Sequence, residues 1–206
     1  MNRLTPQALT SQLLHDFFMQ ACRQQQDSLH LSDFANHDPA QPVNPSAVLI
    51  PFVQRPQGLQ ILLTQRSEHL RHHPGQISFP GGKIDHEDAS AEAAALREME
   101  EELGVPESSL KLLGRLPEYV TGTGFSIAPI AALMEPHPLT INQGEVAEAF
   151  EVPADWILLQ DNFQNHNVEF NGKLRQFYSL TWQERFIWGA TAGILYNFRQ
   201  QLNEWD

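Results

Sequence analysis

The chain has 206 residues, 41% of them hydrophobic and 18% charged, which is enough for one well-buried core and short for two. A formal net charge of −12 argues against sequence-blind binding of nucleic acid, which depends on Lys and Arg neutralising phosphates, so a phosphorylated ligand needs metal ions or a few placed arginines. No apolar run approaches bilayer length, the N-terminus lacks the charged-then-apolar layout of a secretory signal, and the lone Cys22 cannot form an intramolecular disulfide, so a soluble protein of the reducing cytoplasm, with no membrane partner, is expected.

In chain order, Thr5 and Pro6 read as an N-cap and a first helical residue, and Leu9, Leu13, Leu14, Phe17, Phe18 and Cys22 then recur at helical spacing. Residues 1–35 are therefore expected to form a helical extension packed on the body. The run from Asn36 to Ser46, NHDPAQPVNPS, is turn chemistry and predicts a linker. The main domain is expected over residues 45–206. Within it, Ala47–Ile50 and Leu59–Leu63 predict two strands joined by the turn Arg55-Pro56-Gln57-Gly58. Asp88 to Leu103 is rich in Ala, Leu and Glu, has Asp88 or Ser90 as a cap and stops at Gly104, which predicts a helix. Further strands are expected at Leu112–Leu116 and Phe125–Leu133, a short helix after Pro153, and a last helix from about Gln183 to Leu202. Strands alternating with separated helices indicate a mixed α/β body.

The chemistry concentrates in Arg97-Glu98-Met99-Glu100-Glu101-Glu102-Leu103-Gly104-Val105, preceded by Phe79-Pro80-Gly81-Gly82. On a helix, Glu98, Glu101 and Glu102 stand at i, i+3 and i+4, where like charges cost about 0.2–0.5 kcal/mol per pair. Arg97 is the only cation in that helix and cannot offset the repulsion alone; bound divalent cations would. Carboxylate oxygens are hard ligands suited to Mg²⁺ or Mn²⁺, and the opposite face, with Leu96, Met99 and Leu103, can be buried. A bare run of glutamates is more often a solvated face. The glycine pair reverses that reading, since it permits close backbone approach just before the helix and offers the Gly82 carbonyl as a further ligand.

These residues resemble the Nudix box, in which a glycine, five residues, a glutamate and seven residues lead to R-E-U-x-E-E-x-G-U, with U aliphatic. The match from Arg97 to Val105 is complete with Met99 as the aliphatic residue. The front half departs, because fourteen residues separate Gly82 from Arg97, one more than the family pattern, and no glutamate occupies its seventh place; Asp88 or Glu92 is the substitute. A second pattern, Leu62-Leu63-Thr64-Gln65-Arg66-Ser67, then Arg71, Gly75 and Phe79-Pro80-Gly81-Gly82, resembles the coenzyme A pyrophosphatase branch of that family. The same branch carries the longer front half, and Phe186-Ile187-Trp188-Gly189-Ala190-Thr191-Ala192 is similar to it as well.

The resemblance implies a Nudix fold, a mixed β-sheet sandwiched between helices, here with an added N-terminal helix. It also implies metal-dependent cleavage of the pyrophosphate of coenzyme A to 3′,5′-ADP and 4′-phosphopantetheine. Glu98, Glu101 and Glu102, with the Gly82 carbonyl, are the expected ligands of Mg²⁺ or Mn²⁺, and Arg97, Gly81 and Gly104 the structural support. Arg66 and Arg71 are the expected phosphate partners, because guanidinium offers a planar bidentate fork, and Lys83 is a weaker one. Glu145 is the expected general base and Glu148 its runner-up. His69, His72 and His73 are read as exposed loop residues without a metal role. The expected partner is a small molecule, and a homodimer stays open. Two alternatives remain: the same chemistry on ADP-ribose or another nucleoside diphosphate derivative, and a non-catalytic nucleotide-binding regulatory module.

Overall fold

Strands covered on both faces read as unbroken apolar runs, and the run after Ser46 forms the centre of a mixed sheet. The computed structural model describes residues 8–24, 31–32, 43–158, 162–170 and 173–205. In chain order its elements begin with α1 (Ser11–Gln24), β1 (Leu31–Ser32), β2 (Asn44–Arg55), β3 (Gly58–Arg66), β4 (Ile77–Ser78), β5 (Gly81–Lys83) and α2 (Ala91–Leu103). Then come β6 (Leu110–Arg115), β7 (Tyr119–Val120), β8 (Phe125–Met134), β9 (Val146–Pro153) and α3 (Ala154–Leu158), followed by β10 (Gln164–Phe170), β11 (Lys173–Trp182), β12 (Arg185–Trp188) and α4 (Gly189–Trp205).

The main sheet runs β1-β7-β8-β2-β3-β4, with β5 paired to β2, β6 to β8 and β9 to β3. β2 lies parallel to β8 and antiparallel to β3, and Arg55 opposite Gly58 closes the expected hairpin over Pro56-Gln57. Alternation along β2 divides the core. Ala47, Leu49 and Val53 face α2 with Leu62, Ala128, Ile130, Met99 and Leu103. Ile50 and Phe52 face α1 and α4 with Ile61, Leu63, Leu14, Phe17, Phe18 and Phe198. The sheet is thus sandwiched between helices, as expected.

Several boundaries differ from the sequence reading. Thr5 and Pro6 lie outside the described residues; α1 starts at Ser11, where the Thr10 hydroxyl accepts from the Leu13 N–H at 3.1 Å. Leu9 precedes the helix, buried, with its N–H donated to Asp155 Oδ1 at 2.7 Å. Asn44–Ser46, expected in the linker, extend β2, because they pair with Phe125–Ile127 of β8; residues 36–42 lie outside the description. The last helix starts at Gly189 rather than near Gln183, because Arg185–Trp188 pair with β11 in a three-stranded sheet, β10-β11-β12, that periodicity did not predict. Strand β10, QNHNVEF, lacks the apolar alternation that would have announced it.

α1 shares the core of the body. The Phe17, Phe18, Phe52 and Phe198 rings meet at centroid separations of 5.0 to 6.3 Å, and Trp205 Nε1 donates to Gln20 Oε1 at 2.7 Å. Phe198 is 1% exposed and joins α1, β2 and α4. Phe198→Ala is expected to cost about 3–5 kcal/mol, read from the urea unfolding midpoint, with α1 and α4 losing hydrogen-exchange protection together.

Candidate active site

Helix α2 is fixed at both ends. The Ser90 hydroxyl accepts from the Ala93 N–H at 3.2 Å, and Gly104, at φ 68°, closes the helix with its N–H on the Glu100 carbonyl at 2.8 Å. A Cβ on Gly104 would lie 2.9 Å from Thr140 Cβ, so the glycine serves both the left-handed cap and the close approach of the next loop. Burial of Ala94, Ala95, Met99 and Leu103 against the sheet fixes the rotation of the helix.

That rotation turns Glu98 and Glu102 toward β5 and the start of β9, where oxygens of Glu98, Glu102 and Glu145 lie within 4.8 Å of one another. Glu101 does not join them. At about 100° per residue, Glu101 and Glu102 point about 100° apart, and Glu101 Oε2 instead accepts from Arg97 Nη1 at 3.0 Å on the helix's outer side, its side chain 54% exposed. The oxygens that converge are those of Glu98, Glu102 and Glu145, and Glu101 stands beside Glu98 on the shared Arg97 Nη1.

Glu102 is 2% exposed. Burial pushes its carboxyl up to about 8, helped by the Glu98 charge and opposed by Arg66, and Glu145 adds to the rise. A hydrogen bond from the Gly81 backbone favours the carboxylate, yet Oε2 has no hydrogen-bond partner. Burial also raises the Glu98 carboxyl, against the pull of Arg97. The two glycines make the approach possible: a Cβ on Gly82 would lie 2.4 Å from Glu98 Oε1, and one on Gly81, at φ 155°, would lie 2.4 Å from the Ala47 carbonyl oxygen.

Arg97 binds the rim of the site together. Its Nε and Nη2 donate to the two oxygens of Asp88 at 3.0 Å each, Nη1 donates to Glu98 Oε1 at 3.0 Å, and Nη2 also reaches the Lys83 carbonyl at 3.2 Å. The Asp88 hydrogen bond is the main reason that the guanidinium holds its proton more tightly, and Arg97 in turn lowers the Asp88 carboxyl. Of the two acids that could replace the displaced glutamate, Asp88 is the one that Arg97 grips.

The third carboxylate arrives from a loop that other site residues hold. Asn142 N–H donates to the Glu102 carbonyl at 2.9 Å, Glu145 N–H to the Asn142 carbonyl at 3.0 Å, and Ser67 N–H to the Glu145 carbonyl at 2.9 Å. The Ser67 hydroxyl adds a bond to the Gln143 carbonyl at 3.0 Å. Arg66, at the end of β3, is the cation that acts on Glu102, and its Nε is buried without a partner. Arg71 and Lys83 are exposed, as are His69, His72 and His73 in the 67–76 loop. Glu148 lies apart from the carboxylate group, paired with Arg185 Nη2 at 2.5 Å. Arg185 was missed by sequence reasoning, since 37 residues separate it from Glu148 and nothing local marks it.

The donor set suits a divalent cation. Three carboxylates converge, two of them held away from the charged form, and a buried oxygen lacks any donor; hard oxygen ligands of this kind match Mg²⁺ or Mn²⁺ better than zinc.

Comparison with known proteins agrees with the site. Residues 43–177 match the family model described as NUDIX domain. This chain belongs to the Nudix family. It is 40% identical over 158 residues to "Uncharacterized Nudix hydrolase NudL" of Escherichia coli strain K12, covering 76% of this chain and 82% of that protein. The protein of the same description from Shigella boydii serotype 18 matches to the same extent. Among solved structures, the NUDIX domain of Shewanella oneidensis NrtR complexed with ADP ribose is 26% identical, covers 60% of this chain and 82% of its own, and has a TM-score of 0.45. A MutT/nudix family protein from Enterococcus faecalis is 14% identical, covers 96% of this chain and 76% of its own, and has a TM-score of 0.48. The family match over residues 43–177 makes the architecture the Nudix fold and the chemistry pyrophosphohydrolysis. Among the described residues no helix is long and apolar enough to cross a membrane.

A pH dependence follows from Glu102. Its carboxyl rises from an ordinary 4.5 to about 8 on folding, so the folded state holds the proton more tightly; the associated stability is complete below 4.5 and lost as pH rises through about 8. In chelator, Glu102→Gln is expected to melt several degrees above wild type at pH 8.5 and close to it at pH 5, and added Mg²⁺ is expected to narrow the gap at pH 8.5. A thermal-shift series at both pH values checks this, and a gap independent of pH would contradict it.

Proposed function

We propose that this Nudix hydrolase cleaves the pyrophosphate of coenzyme A, or of a derivative, to 3′,5′-ADP and 4′-phosphopantetheine, with Mg²⁺ or Mn²⁺. The observation that carries the reading is that both ends of the Leu62–Gly82 pattern, Arg66-Ser67 and Gly81-Gly82, meet at the carboxylate group. Its first part ends at Arg66, beside Glu102, and at Ser67, hydrogen-bonded to the Glu145 loop. Its last part is the Gly81-Gly82 pair against Ala47 and Glu98. Four residues of the pattern that resembles the coenzyme A branch, Arg66, Ser67, Gly81 and Gly82, thus support the reading by their place at the site.

Charge supports the same reading. Among the described residues, Arg55, Arg97, Arg115 and Arg185 are each paired with a carboxylate, whereas Arg66 acts on Glu102 with its Nε unpartnered and Lys83, next to the glycine pair, is exposed. In a chain of net charge −12, cations left unpaired beside converging carboxylates suit a polyanionic substrate.

Glu98, Glu102 and Glu145 would hold the cation, with the Gly82 carbonyl as a further ligand and Glu101 retained by Arg97. The bound cation would supply polarisation of the phosphoryl oxygens and neutralisation of the charge that develops there. Arg66 and Arg71 orient the phosphates, with Lys83 at the rim, and positioning of this kind is most of what phosphoryl transfer asks of a protein. Glu145, on its loop and in contact with solvent, would give the cation one carboxylate oxygen and keep the other as the base that takes the proton of the attacking water. Arg97, Gly81 and Gly104 support the site without touching substrate.

Incubation of the purified protein with coenzyme A and Mg²⁺ or Mn²⁺, with and without chelator, tests the proposal by chromatography of the products. Metal-dependent release of 3′,5′-ADP and 4′-phosphopantetheine is the expected result. Clear preference for ADP-ribose in competition would defeat the narrower substrate, and absence of turnover on any diphosphate, with metal bound, would favour the regulatory module. Glu102→Gln is expected to abolish turnover while circular dichroism stays native; near-normal activity with Mg²⁺ would defeat the ligand assignment.

A further inference from the structure

Strand β9 breaks register where it meets the site. Gln65 of β3 pairs with Glu148, but the next residue, Arg66, pairs with Val146, so Ala147 is an extra residue on β9. A bulge of this kind shifts side chains by one position and is often found beside active sites, where it re-aims a residue. The core records the shift. In a regular strand, residues two apart share a face; here Ala149 and Val146, three apart, pack on the same α2-side cluster with Leu62. Everything before Ala147 is therefore displaced by about 3.3 Å, one strand residue; Val146 is the first side chain beyond it, and Glu145, in the turn that enters β9, is the second. A displacement of that size is comparable with the 4.8 Å span of the carboxylate group, so the bulge decides whether Glu145 belongs to it.

The bulge needs an anchor on its far side, and Arg185 of β12 provides one. Nη2 of Arg185 binds Glu148 Oε1 at 2.5 Å, Nη1 donates to Gln183 Oε1 at 3.1 Å, and the guanidinium lies 4.4 Å from the centre of the Phe150 ring. Phe150 and Glu148 are two apart on β9 and face Arg185 together, while Ser67 and Asn142 hold Glu145 from the other side. We infer that Arg185 is a positioning residue for the cation site: by holding Glu148 while its guanidinium lies over Phe150, it fixes the Ala147 bulge and so the place of Glu145 beside Glu98 and Glu102. The three-stranded C-terminal sheet then belongs to the catalytic apparatus, although none of its residues enters the carboxylate group.

This inference rests on the reading that Glu145 helps to hold the cation, and the test separates the two. Mn²⁺ affinity of the full chain is measured by electron paramagnetic resonance for wild type, Arg185→Met, Glu145→Gln and the double variant, with Glu148→Gln approaching the clamp from its other end. Outer partners of metal ligands typically matter about 10–100-fold, so Arg185→Met and Glu148→Gln are each expected to weaken Mn²⁺ binding by about tenfold at unchanged melting temperature. In the Glu145→Gln background, loss of Arg185 is expected to add nothing. Wild-type Mn²⁺ affinity in both clamp variants, or a full additional loss in the Glu145→Gln background, would overturn the positioning role. Wild-type affinity in Glu145→Gln itself would overturn the cation reading of Glu145 and the inference with it.

Discussion

The site depends on one costly arrangement, the carboxylate of Glu102 taken out of water with an oxygen that nothing in the protein satisfies. An isolated buried charge is among the most unfavourable features that a fold can carry, and ordinarily it takes up a proton or finds a partner. Here the neighbours make matters worse, since Glu98 and Glu145 bring further negative charge to within 4.8 Å. Arg66 and the Gly81 backbone oppose the rise without cancelling it. A site built this way is stable in its charged form only when a cation completes it, and helix α2 can hold it ready because its other face is locked by Met99, Leu103 and two alanines in the core.

Arginines in this acidic chain divide their work by position. Arg97 serves the rim, joining Asp88, Glu98, Glu101 and the Lys83 carbonyl, and thereby ties the turn before α2 to its second helical turn. Its reach explains why the longer front half of the box is tolerated: an aspartate nine residues before Arg97 meets the guanidinium as a fork on a fork. Arg66 stands inside, close to Glu102 and free of any carboxylate of its own, so that its charge is available to an incoming anion. Arg185 stands outside and works on the strand that delivers Glu145.

The backbone supplies the remaining order. Parallel pairing of β2 with β8 and the close pairing of β5 on β2 bring the glycine pair under α2. The far face of the same sheet is closed by α1 and α4 through an aromatic cluster centred on Phe198. The catalytic face and the stabilising face are therefore opposite sides of one set of strands, and β2 transmits the rigidity of one to the other.

Much of this was written locally in the chain. The helix from Ser90 to Gly104, its buried and acidic faces, the glycine pair and the hairpin over Pro56-Gln57 follow from residue spacing, because capping, alternation and glycine conformation act within a few residues. What the chain by itself could not decide was which carboxylates meet. Periodicity grouped Glu101 with Glu98 and Glu102, and Arg97 Nη1 holds Glu101 beside Glu98. Glu145, expected at the site as the base, joins the carboxylate group because a bulge in β9 and hydrogen bonds from Ser67 and Asn142 aim it there. Arg185 was illegible because its contact with Glu148 joins residues 37 positions apart, and the C-terminal sheet because β10, QNHNVEF, lacks the apolar alternation that announces a strand. Local chemistry determined the parts, and only the tertiary packing decided which of them share a site.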